Sequence, residues 1–582
     1  MVGVRRDPTV SRFTASRLGA DQRARDLRRM RGETFDVVVI GGGVTGAGAA
    51  LDAASRGLSV ALVEARDFAA GTSSRSSKLI HGGLRYLEQL NFSLVREALE
   101  ERGRLLTKLA PHLVRPVPFL IPLTHRVWER GYIGAGVLLY DVLGSIFGTA
   151  RGLPRHRHLS KRAAHRLFPD LRPDALVGAI QYYDGQVDDA RHTLTVARTA
   201  ASLGAAVATS TRVLDVLMDA REVVGVRVRD LESGEEFDIR AKTVIAATGV
   251  WSDDISEMLV SRRGLRVRAS KGVHLVVPRS AIDGDSGLIL RTEKSVLFVI
   301  PWGGHWIVGT TDTDWDLDRA HPAASSVDID YILEHVNRVL ERPLTHADIE
   351  GVYAGLRPLL SGEDDSTSKL SREHAVVEPM LGLMLIAGGK YTTYRVMAKD
   401  AVDVAARRLR HAPPSRTEEV VLLGGDGYEA AWSNRAATAR RHGVSVGVVE
   451  HLLERYGTLT AEVLGLVDED PALGRPLGGA PEYLRAEVVY AALAEGALHL
   501  DDVLTRRTRI SIETPHRGLD SADEVADLVG DVLGWDAETR AREVDHYRAR
   551  VDAERESQRM PDDQTADAAR LGAVDVRGLT SA

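Results

Sequence analysis

Five basic side chains stand in loops, each within two residues of a glycine: His81, Arg85, His274, Arg357 and Lys390. Histidine is the side chain that most readily takes a proton near neutral pH. Guanidinium and ammonium groups in such loops can hold an anion. The set therefore indicates proton transfer on a negatively charged molecule. Either histidine could instead be a hydrogen-bonded core residue, and each cation could form only a surface salt bridge.

The elements that would position these loops begin with a strand, a glycine turn and a helix near the N terminus. Residues 36–40 are a β-branched run typical of a buried parallel strand. Three glycines follow at the positions of the dinucleotide fingerprint: Gly41, Gly43 and Gly46. A second strand over 58–63 ends in Glu64, where an acid accepts hydrogen bonds from an adenosine ribose. The sequence predicts a dinucleotide-binding unit, with an ordinary glycine-rich turn as the alternative.

Three further segments could approach the same nucleotide. The loop 71–78 is rich in hydroxyl groups and small residues, which suits phosphate and a planar ring. A buried strand beginning at residue 243 ends in a small-residue turn over 247–252, and a strand over 381–386 runs into Gly388 and Gly389. The helix that starts there directs its positive end at whatever lies over the sheet edge.

Composition excludes several classes of protein. The chain has 582 residues, a net charge of -7 and no cysteine. Without cysteine there can be no disulfide, thiolate metal site or iron–sulfur cluster, so any redox chemistry needs an organic cofactor. The well-mixed charge gives no reason to predict a nucleic-acid partner. No metal site is predicted.

Two segments raise the question of a membrane. Residues 1–33 are rich in arginine but lack an apolar signal segment, which indicates a solvated or frayed arm, or attachment to an anionic membrane surface. Residues 132–150 are apolar, but Asp141 and four glycines argue against a membrane span. We expect a core or cap helix there, with a surface that dips into lipid as the alternative.

The predicted fold class is α/β plus all-α, with a Rossmann-like domain, an inserted antiparallel sheet and a C-terminal helical domain. The nucleotide-binding domain would be discontinuous, over 34–110, 181–264 and 350–410, with the substrate-binding or cap domain over 111–180 and 265–349. The helical domain would span 415–556, and the polar stretch 557–582 is predicted to be disordered.

Motifs along most of the chain resemble the FAD-dependent glycerol-3-phosphate dehydrogenases, which belong to the D-amino-acid-oxidase-like flavoproteins. The resemblance is carried by residues 38–65, 71–88, 187–191, 247–252, 271–279, 299–302, 309–314, 355–359 and 388–395, with 504–509 the most recognisable segment of the tail domain. The arginine-rich N-terminal extension is not part of the common pattern.

The resemblance implies oxidation of sn-glycerol 3-phosphate to dihydroxyacetone phosphate, with a hydride passing from C2 to flavin N5 and electrons then passing to a membrane quinone. Arg85 and Arg357 would contact the substrate, Lys390 would hold a substrate oxygen beside the flavin, and His81 or His274 would be the base. FAD would be bound by Gly41, Gly43, Thr45, Gly46, Glu64, Thr72, Ser73, Ser77, Lys78, Thr248, Gly249, Gly389, Lys390 and Thr392.

The chain is expected on the cytoplasmic face of the plasma membrane, held peripherally, because a soluble enzyme must reach a quinone dissolved in lipid. A homodimer stays open. The alternatives are an oxidase that uses O₂, an amine or amino-acid oxidase of the same superfamily, and a nucleotide-binding scaffold without turnover.

Overall fold

A computed structural model of the chain describes residues 16–83, 91–125, 128–146, 153–258, 265–292, 296–360, 373–409 and 412–579. The strands are β1 (Thr34–Ile40), β2 (Val60–Val63), β3 (Leu79–Ile80), β4 (Val114–Leu123), β5 (Arg157–Ser160), β6 (Gly178–Val187), β7 (Ala206–Ala208), β8 (Thr211–Asp219), β9 (Glu222–Asp230), β10 (Glu236–Ala246), β11 (Val267–Pro278), β12 (Gly287–Arg291), β13 (Val296–Trp302), β14 (His305–Gly309), β15 (Thr313–Trp315), β16 (Gly351–Leu360), β17 (His374–Met380), β18 (Leu383–Gly388), β19 (Pro476–Leu477) and β20 (Ala480–Leu484).

The α-helices are α1 (Ala20–Gly32), α2 (Val44–Ser55), α3 (Phe92–Arg104), α4 (Trp128–Ile146), α5 (Lys161–Leu167), α6 (Asp189–Ser202), α7 (Ser252–Glu257), α8 (Ser326–Asn337), α9 (Tyr394–Ala406), α10 (Tyr428–Ser433), α11 (Arg435–His442), α12 (Val446–Tyr456), α13 (Thr460–Glu469), α14 (Arg485–Ala494), α15 (Leu500–Asp502), α16 (Ile510–Glu513), α17 (Leu519–Leu533), α18 (Ala537–Ser557) and α19 (Asp563–Arg570).

The first sheet has the strand order β17-β18-β10-β1-β2-β7, with β9 paired to β10 and β8 to β9. Its centre is parallel, because β1 pairs in parallel with both β2 and β10, and β10 with β18. The predicted strand over 36–40 lies in β1, whose interior residues are fully buried as a strand covered on both faces requires. The predicted Rossmann-like unit is confirmed.

The second sheet has the order β15-β11-β14-β13-β12-β4-β6-β3, with β16 paired to β11 and β5 to β6. It is antiparallel except where β12 pairs with β4. The strands β3, β6 and β16 belong to this sheet, although the predicted boundaries put β3, β16 and most of β6 in the nucleotide-binding domain. The difference arises because the chain crosses between the two sheets close to the loops that carry the candidate site residues.

The segment 16–32 is folded, so the prediction of a solvated or frayed arm is wrong for this part of the N-terminal extension. Leu27 and Met30 of α1 are buried in the core beside the first sheet. Asp26 accepts a hydrogen bond of 3.0 Å from the Val207 N–H of edge strand β7. The arginines occupy the outer face of an amphipathic helix, which composition alone does not reveal. Residues 1–15 lie outside the described part of the chain.

The C-terminal domain is helical, apart from the two-stranded pair β19–β20. The prediction of disorder is wrong for the tail up to residue 579. Asp562 caps α19 by accepting a hydrogen bond of 2.8 Å from the Thr565 N–H, and Ala566 is fully buried. Arg577 pairs with Asp502 at 2.8 Å. The polar composition conceals ion pairs that fix this segment to the rest of the molecule.

The apolar stretch 132–150 begins in α4, where Ile133 and Val137 enter a core cluster, as the core-helix prediction expects. Tyr132, Leu138 and Leu139 are exposed on the same helix. Residues 147–150 lie outside the described ranges. Among the helices that the structure describes, none is both long enough and apolar enough to cross a bilayer.

Candidate functional site

The glycine turn between β1 and α2 has the geometry that the fingerprint predicts. Gly41 has φ +109°, and a Cβ there would lie 2.6 Å from the Ala247 carbonyl oxygen. A Cβ on Gly46 would lie 1.9 Å from the Gly41 carbonyl oxygen, so only glycine lets the helix pack this closely. A Cβ on Gly43 would meet only the Ser73 hydroxyl, at 3.3 Å, so this backbone is open to a ligand.

Glu64, at the end of β2, is held by backbone hydrogen bonds. Its two carboxylate oxygens accept from the N–H groups of Gly42 at 2.6 Å and Arg66 at 2.7 Å. Burial raises its pKa, and the two N–H donors oppose that shift. The carboxylate is thereby fixed at the helix end of the turn and keeps lone pairs for ribose hydroxyls.

The loop 71–78 joins the two sheets. Ser73 accepts a hydrogen bond of 2.9 Å from the Val44 N–H at the start of α2. Thr72 donates to the Leu356 carbonyl at 2.6 Å, and the Ser77 hydroxyl lies 2.8 Å from His274 Nε2. This predicted cofactor loop therefore contacts the glycine turn on one side and the second sheet on the other.

Lys78 differs from the other predicted residues of this loop, because its side chain is fully buried. Its ammonium donates at 2.7 Å to both the Ser74 carbonyl and Asp189, and Asp189 also receives Arg509 from the C-terminal domain. Burial and the nearby Arg509 lower the pKa of Lys78 to about 8. The lysine anchors the loop, so contact of its ammonium with a cofactor stays a prediction.

The late loop meets the early one through Thr392. Its hydroxyl accepts from the His81 N–H at 3.1 Å and donates to the His81 carbonyl at 3.2 Å. Gly388 and Gly389 before Lys390 both have positive φ, +77° and +80°, so this sharp turn needs glycine. The structure thus places His81 beside the N-terminal end of α9, the helix that follows β18 of the first sheet.

One face of the second sheet carries the other two candidates. In the β11–β16 register, His274 pairs with Tyr353 and Ser270 with Arg357, and residues four apart on a strand share a face. Between these pairs Gly272 lies opposite Gly355. A Cβ on Gly355 would meet the Arg75 carbonyl oxygen at 2.3 Å, and one on Gly272 would meet Arg357 Nη2 at 2.6 Å. The two glycines let the 71–78 loop and the guanidinium lie flat on the sheet.

His274 is buried and neutral. Its ring stacks on Tyr353 at 4.8 Å with an interplanar angle of 11°. Burial, together with Arg357 and Lys78, holds its pKa well below the usual 6.5. Among the described residues its Nδ1 has no hydrogen-bond partner.

Arg357 is held by polar groups that were not among the predicted site residues. Its guanidinium donates to Ser270 Oγ and Asp312 at 3.3 Å, to Thr310 Oγ1 at 3.2 Å and to the Thr311 carbonyl at 3.3 Å. The clustered Thr-Thr-Asp run over 310–312 was the available signal. Arg85, the other predicted guanidinium, lies outside the described residues.

Comparison with known proteins agrees with this geometry. The family model described as FAD dependent oxidoreductase matches residues 36–395, and the C-terminal domain of alpha-glycerophosphate oxidase matches 415–540. Glycerol-3-phosphate dehydrogenase 2 of Mycobacterium tuberculosis is 60% identical over 566 residues, 97% of this chain and 96% of that protein. The chain belongs to the FAD-dependent glycerol-3-phosphate dehydrogenase family.

Two further glycerol-3-phosphate dehydrogenases are similar to this chain. The mitochondrial glycerol-3-phosphate dehydrogenase of Homo sapiens is 37% identical, over 88% of this chain and 72% of that protein. The crystal structure of glycerol-3-phosphate dehydrogenase from Bacillus halodurans complexed with FAD matches with a TM-score of 0.75 at 30% identity, covering 92% of this chain and 98% of that chain. The cofactor of this flavoprotein is FAD.

The residues present fit FAD. The bare Gly43 backbone at the start of α2 suits a pyrophosphate. Thr248 Oγ1 is buried and, within the described part of the chain, lacks a hydrogen-bond partner. It follows β10, close to the Ala247 carbonyl that packs on Gly41. An orphaned hydroxyl at this edge is the group that a cofactor would satisfy.

Proposed function

We propose that the enzyme oxidises sn-glycerol 3-phosphate at C2 to dihydroxyacetone phosphate and passes the electrons to a membrane quinone. FAD supplies the acceptor for the C2 hydride, at flavin N5. The observation that carries the proposal is the second-sheet face that presents Arg357 and His274 beneath the 71–78 loop. The similarity to the glycerol-3-phosphate dehydrogenases of Mycobacterium tuberculosis and Homo sapiens supports the substrate.

The substrate phosphate is a dianion, and a guanidinium matches its geometry better than any other side chain. Arg357 is held in place by Thr310, Thr311 and Asp312, so it loses little freedom when it binds. We assign it, together with Arg85, to the phosphate. Lys390, at the tip of the late loop, would hold the oxygen at C2.

The proton of the C2 hydroxyl needs an acceptor. We assign the role of proton acceptor to His81, because this residue is half-buried and lies beside Thr392, just before helix α9. His274 is fully buried with a depressed pKa, so an imidazolium there would be costly. Its neutral ring would instead orient the substrate by a hydrogen bond. The pH dependence of kcat tests this assignment. In His81→Gln the fall of kcat at acid pH should disappear, whereas in His274→Gln it should remain.

Anaerobic titration of the purified yellow protein with glycerol 3-phosphate tests the reaction. The flavin absorbance should bleach in proportion to substrate, and it should not bleach with glycerol or with an amino acid. Failure to bleach with glycerol 3-phosphate would remove the assignment. Re-oxidation by a quinone analogue, compared with peroxide formed from O₂, then separates a dehydrogenase from an oxidase.

We propose peripheral attachment to the cytoplasmic face of the membrane through α4. Its exposed Tyr132, Leu138 and Leu139 could enter the interface while Ile133 and Val137 stay in the core. Co-sedimentation with vesicles of anionic phospholipid should fall in Leu138→Glu. Val446→Glu, which adds the same charge at an exposed valine of the helical domain, is the control. Equal sedimentation of both variants would discard this route.

A further inference from the structure

A cavity of about 50 Å³ lies where the loop after β2, helix α18 and the C-terminal tail meet. None of the predicted catalytic or cofactor residues that the structure describes lines it. Its wall contains six arginines: Arg66, Arg75, Arg506, Arg550, Arg570 and Arg577. The acids in the wall are Asp501, Glu543 and Asp575.

Most of these charges have partners. Asp575 lies 3.5 Å from Arg66 and 3.1 Å from His321. Asp501 pairs with Arg506 at 2.9 Å and also with Arg550. Glu543 lies 2.9 Å from the ring of His499 rather than pairing with an arginine of the wall.

Two more of the arginines form ion pairs with acids that do not line the cavity. Glu554 lies 3.4 Å from Arg570, and Asp502 lies 2.8 Å from Arg577. Both carboxylates are therefore already engaged.

Arg75 is the exception. Its Nη1 donates to the Ala320 carbonyl at 2.9 Å, and it forms no salt bridge with any residue that the structure describes. Burial, and then the charges of Arg550, Arg570 and Arg506, lower its pKa to about 9. The same crowding lowers the pKa of Arg570 to about 10, with burial again the main cause.

Donors as well as charge are left over. The Nε group of Arg550 is buried and has no hydrogen-bond acceptor in the described part of the chain, whereas the Nε group of Arg66 lies 3.5 Å from the Asp575 carboxylate. An unsatisfied guanidinium N–H is expensive, since a charge-assisted hydrogen bond is among the stronger ones in a protein. A cavity with surplus positive charge and spare hydrogen-bond donors favours the binding of an anion.

We propose that this cavity binds one phosphate-type oxyanion, held by Arg75 with help from Arg550 and Arg570. A volume of about 50 Å³ has room for roughly three to five water molecules, which is also room for one tetrahedral oxyanion. Guanidinium groups match the oxygens of such an anion in both charge and direction. Chloride has one charge and one accepting atom, so it would neutralise less of the charge and reach fewer of the separated donors than a tetrahedral oxyanion.

The site would also connect the tail to the core. Residues 573–577 form one wall of the cavity, while Arg75 belongs to the loop that carries Ser73 and Ser77. A bound anion would hold these two parts of the molecule together. Stability of the tail should therefore depend on phosphate and not on ionic strength alone.

The test uses the full-length holoenzyme with FAD bound. The melting temperature is measured in inorganic phosphate and in chloride of equal ionic strength, with flavin absorbance confirming that FAD stays in place. Phosphate should raise the melting temperature of the unchanged protein by about 2–4 °C. In Arg75→Gln this rise should disappear.

Two variants serve as controls. Arg559→Gln removes an arginine whose side chain is 74% exposed in the same tail, and it should keep the rise. Arg357→Gln should also keep it, which separates this cavity from the substrate phosphate site. If Arg75→Gln does not fold with FAD, Arg570→Gln takes its place. An equal rise in the cavity variant, or none in the unchanged protein, would overturn the proposal.

Discussion

Ser77 and His274 lie 197 positions apart in the chain and are joined by a contact of 2.8 Å between Oγ and Nε2. The contact ties the 71–78 loop to strand β11 of the second sheet. On its other side the imidazole ring stacks on Tyr353, whose hydroxyl donates at 3.0 Å to the Ser76 carbonyl of the same loop. The ring plane is thus fixed by two elements, and Ser77 is one of the two groups that set it.

Replacing Ser77 with alanine should lower kcat/KM for glycerol 3-phosphate about 10-fold, the value of one neutral hydrogen bond. The imidazole would lose its fixed plane, while the glycine turn that we propose to bind FAD would be unchanged. Steady-state kinetics together with the flavin content check this. Ser256→Ala, which removes a hydroxyl whose one hydrogen-bond partner among the described residues is the Ser252 carbonyl, should change neither quantity. An unaltered kcat/KM in Ser77→Ala would show that the contact does not position the ring.

Arg357→Ala should raise KM for glycerol 3-phosphate about 10- to 100-fold, because a hydrogen bond to a charged group contributes about 1.5–3 kcal/mol. FAD should remain bound, since the guanidinium contacts Ser270, Thr310, Thr311 and Asp312 rather than the glycine turn. Initial rates over a range of substrate concentrations measure the change.

The matched control is Arg227→Ala, which removes a half-exposed arginine paired with Asp238 on the β9–β10 hairpin. It should leave KM unchanged. If KM is equally unaffected in Arg357→Ala, the guanidinium does not touch the substrate.

The glycine turn could be predicted from sequence because its requirements are local: spacing, φ and one close contact within a single βαβ unit. The roles of Gly272 and Gly355 could not. Each is needed because a group distant in sequence lies on the sheet there, the Arg357 guanidinium over one and the Arg75 backbone over the other. Nothing in the neighbouring residues encodes that approach.

Lys78 illustrates the same limit for charged residues. In sequence it belongs to a hydroxyl-rich loop and is indistinguishable from a phosphate ligand. In the structure its ammonium donates to the Ser74 carbonyl and to Asp189 on α6, and Asp189 also accepts from Arg509 of the helical domain. Whether a lysine binds a ligand or closes a structural ion pair depends on which distant carboxylate it meets.

That ion-pair group gives a third prediction. Asp189→Asn removes the carboxylate between Lys78 and Arg509, all of them almost completely buried. Two buried cations would lose a partner, so the free energy of unfolding should fall by about 3–5 kcal/mol. FAD should also dissociate faster, because Lys78 anchors the cofactor loop. Denaturant unfolding and the rate of flavin release measure the two effects.

Asp238→Asn is the control, since its pair with Arg227 is half-exposed. Its effect on stability should stay below about 1 kcal/mol. A comparable, small loss in Asp189→Asn would mean that the buried group does not support the loop.

His499 gives a prediction of pH dependence. Hydrogen bonds from its two ring nitrogens to Glu543 and Glu232 outweigh burial and raise its pKa to about 9. Because the folded pKa lies above the unfolded value, the stabilisation is complete below about pH 6.5 and is lost as the pH rises through about 9. The melting temperature should therefore fall between pH 7 and about pH 9.5, and this fall should be smaller in His499→Gln.

His346→Gln is the control, because the exposed side chain of this histidine pairs, among the described residues, with the exposed Asp330 alone. Its stability profile should parallel that of the unchanged protein. A profile in His499→Gln that also parallels it would place the pH dependence elsewhere.

Gly46→Ala tests the close contact between α2 and the glycine turn, on which we expect FAD binding to depend. The added Cβ would stand 1.9 Å from the Gly41 carbonyl oxygen, which no side-chain rotation can relieve, so α2 must move away from the turn. Its first N–H groups would then leave the pyrophosphate position, and the protein should be isolated with little or no flavin.

Gly465→Ala is a matched change in helix α13, where a Cβ meets nothing within 4 Å. It should keep the full flavin content and gain up to about 1 kcal/mol from helix propensity. A yellow, fully active Gly46→Ala protein would show that the turn can open without losing the cofactor, and the contact between Gly46 and Gly41 would no longer explain why glycine stands there.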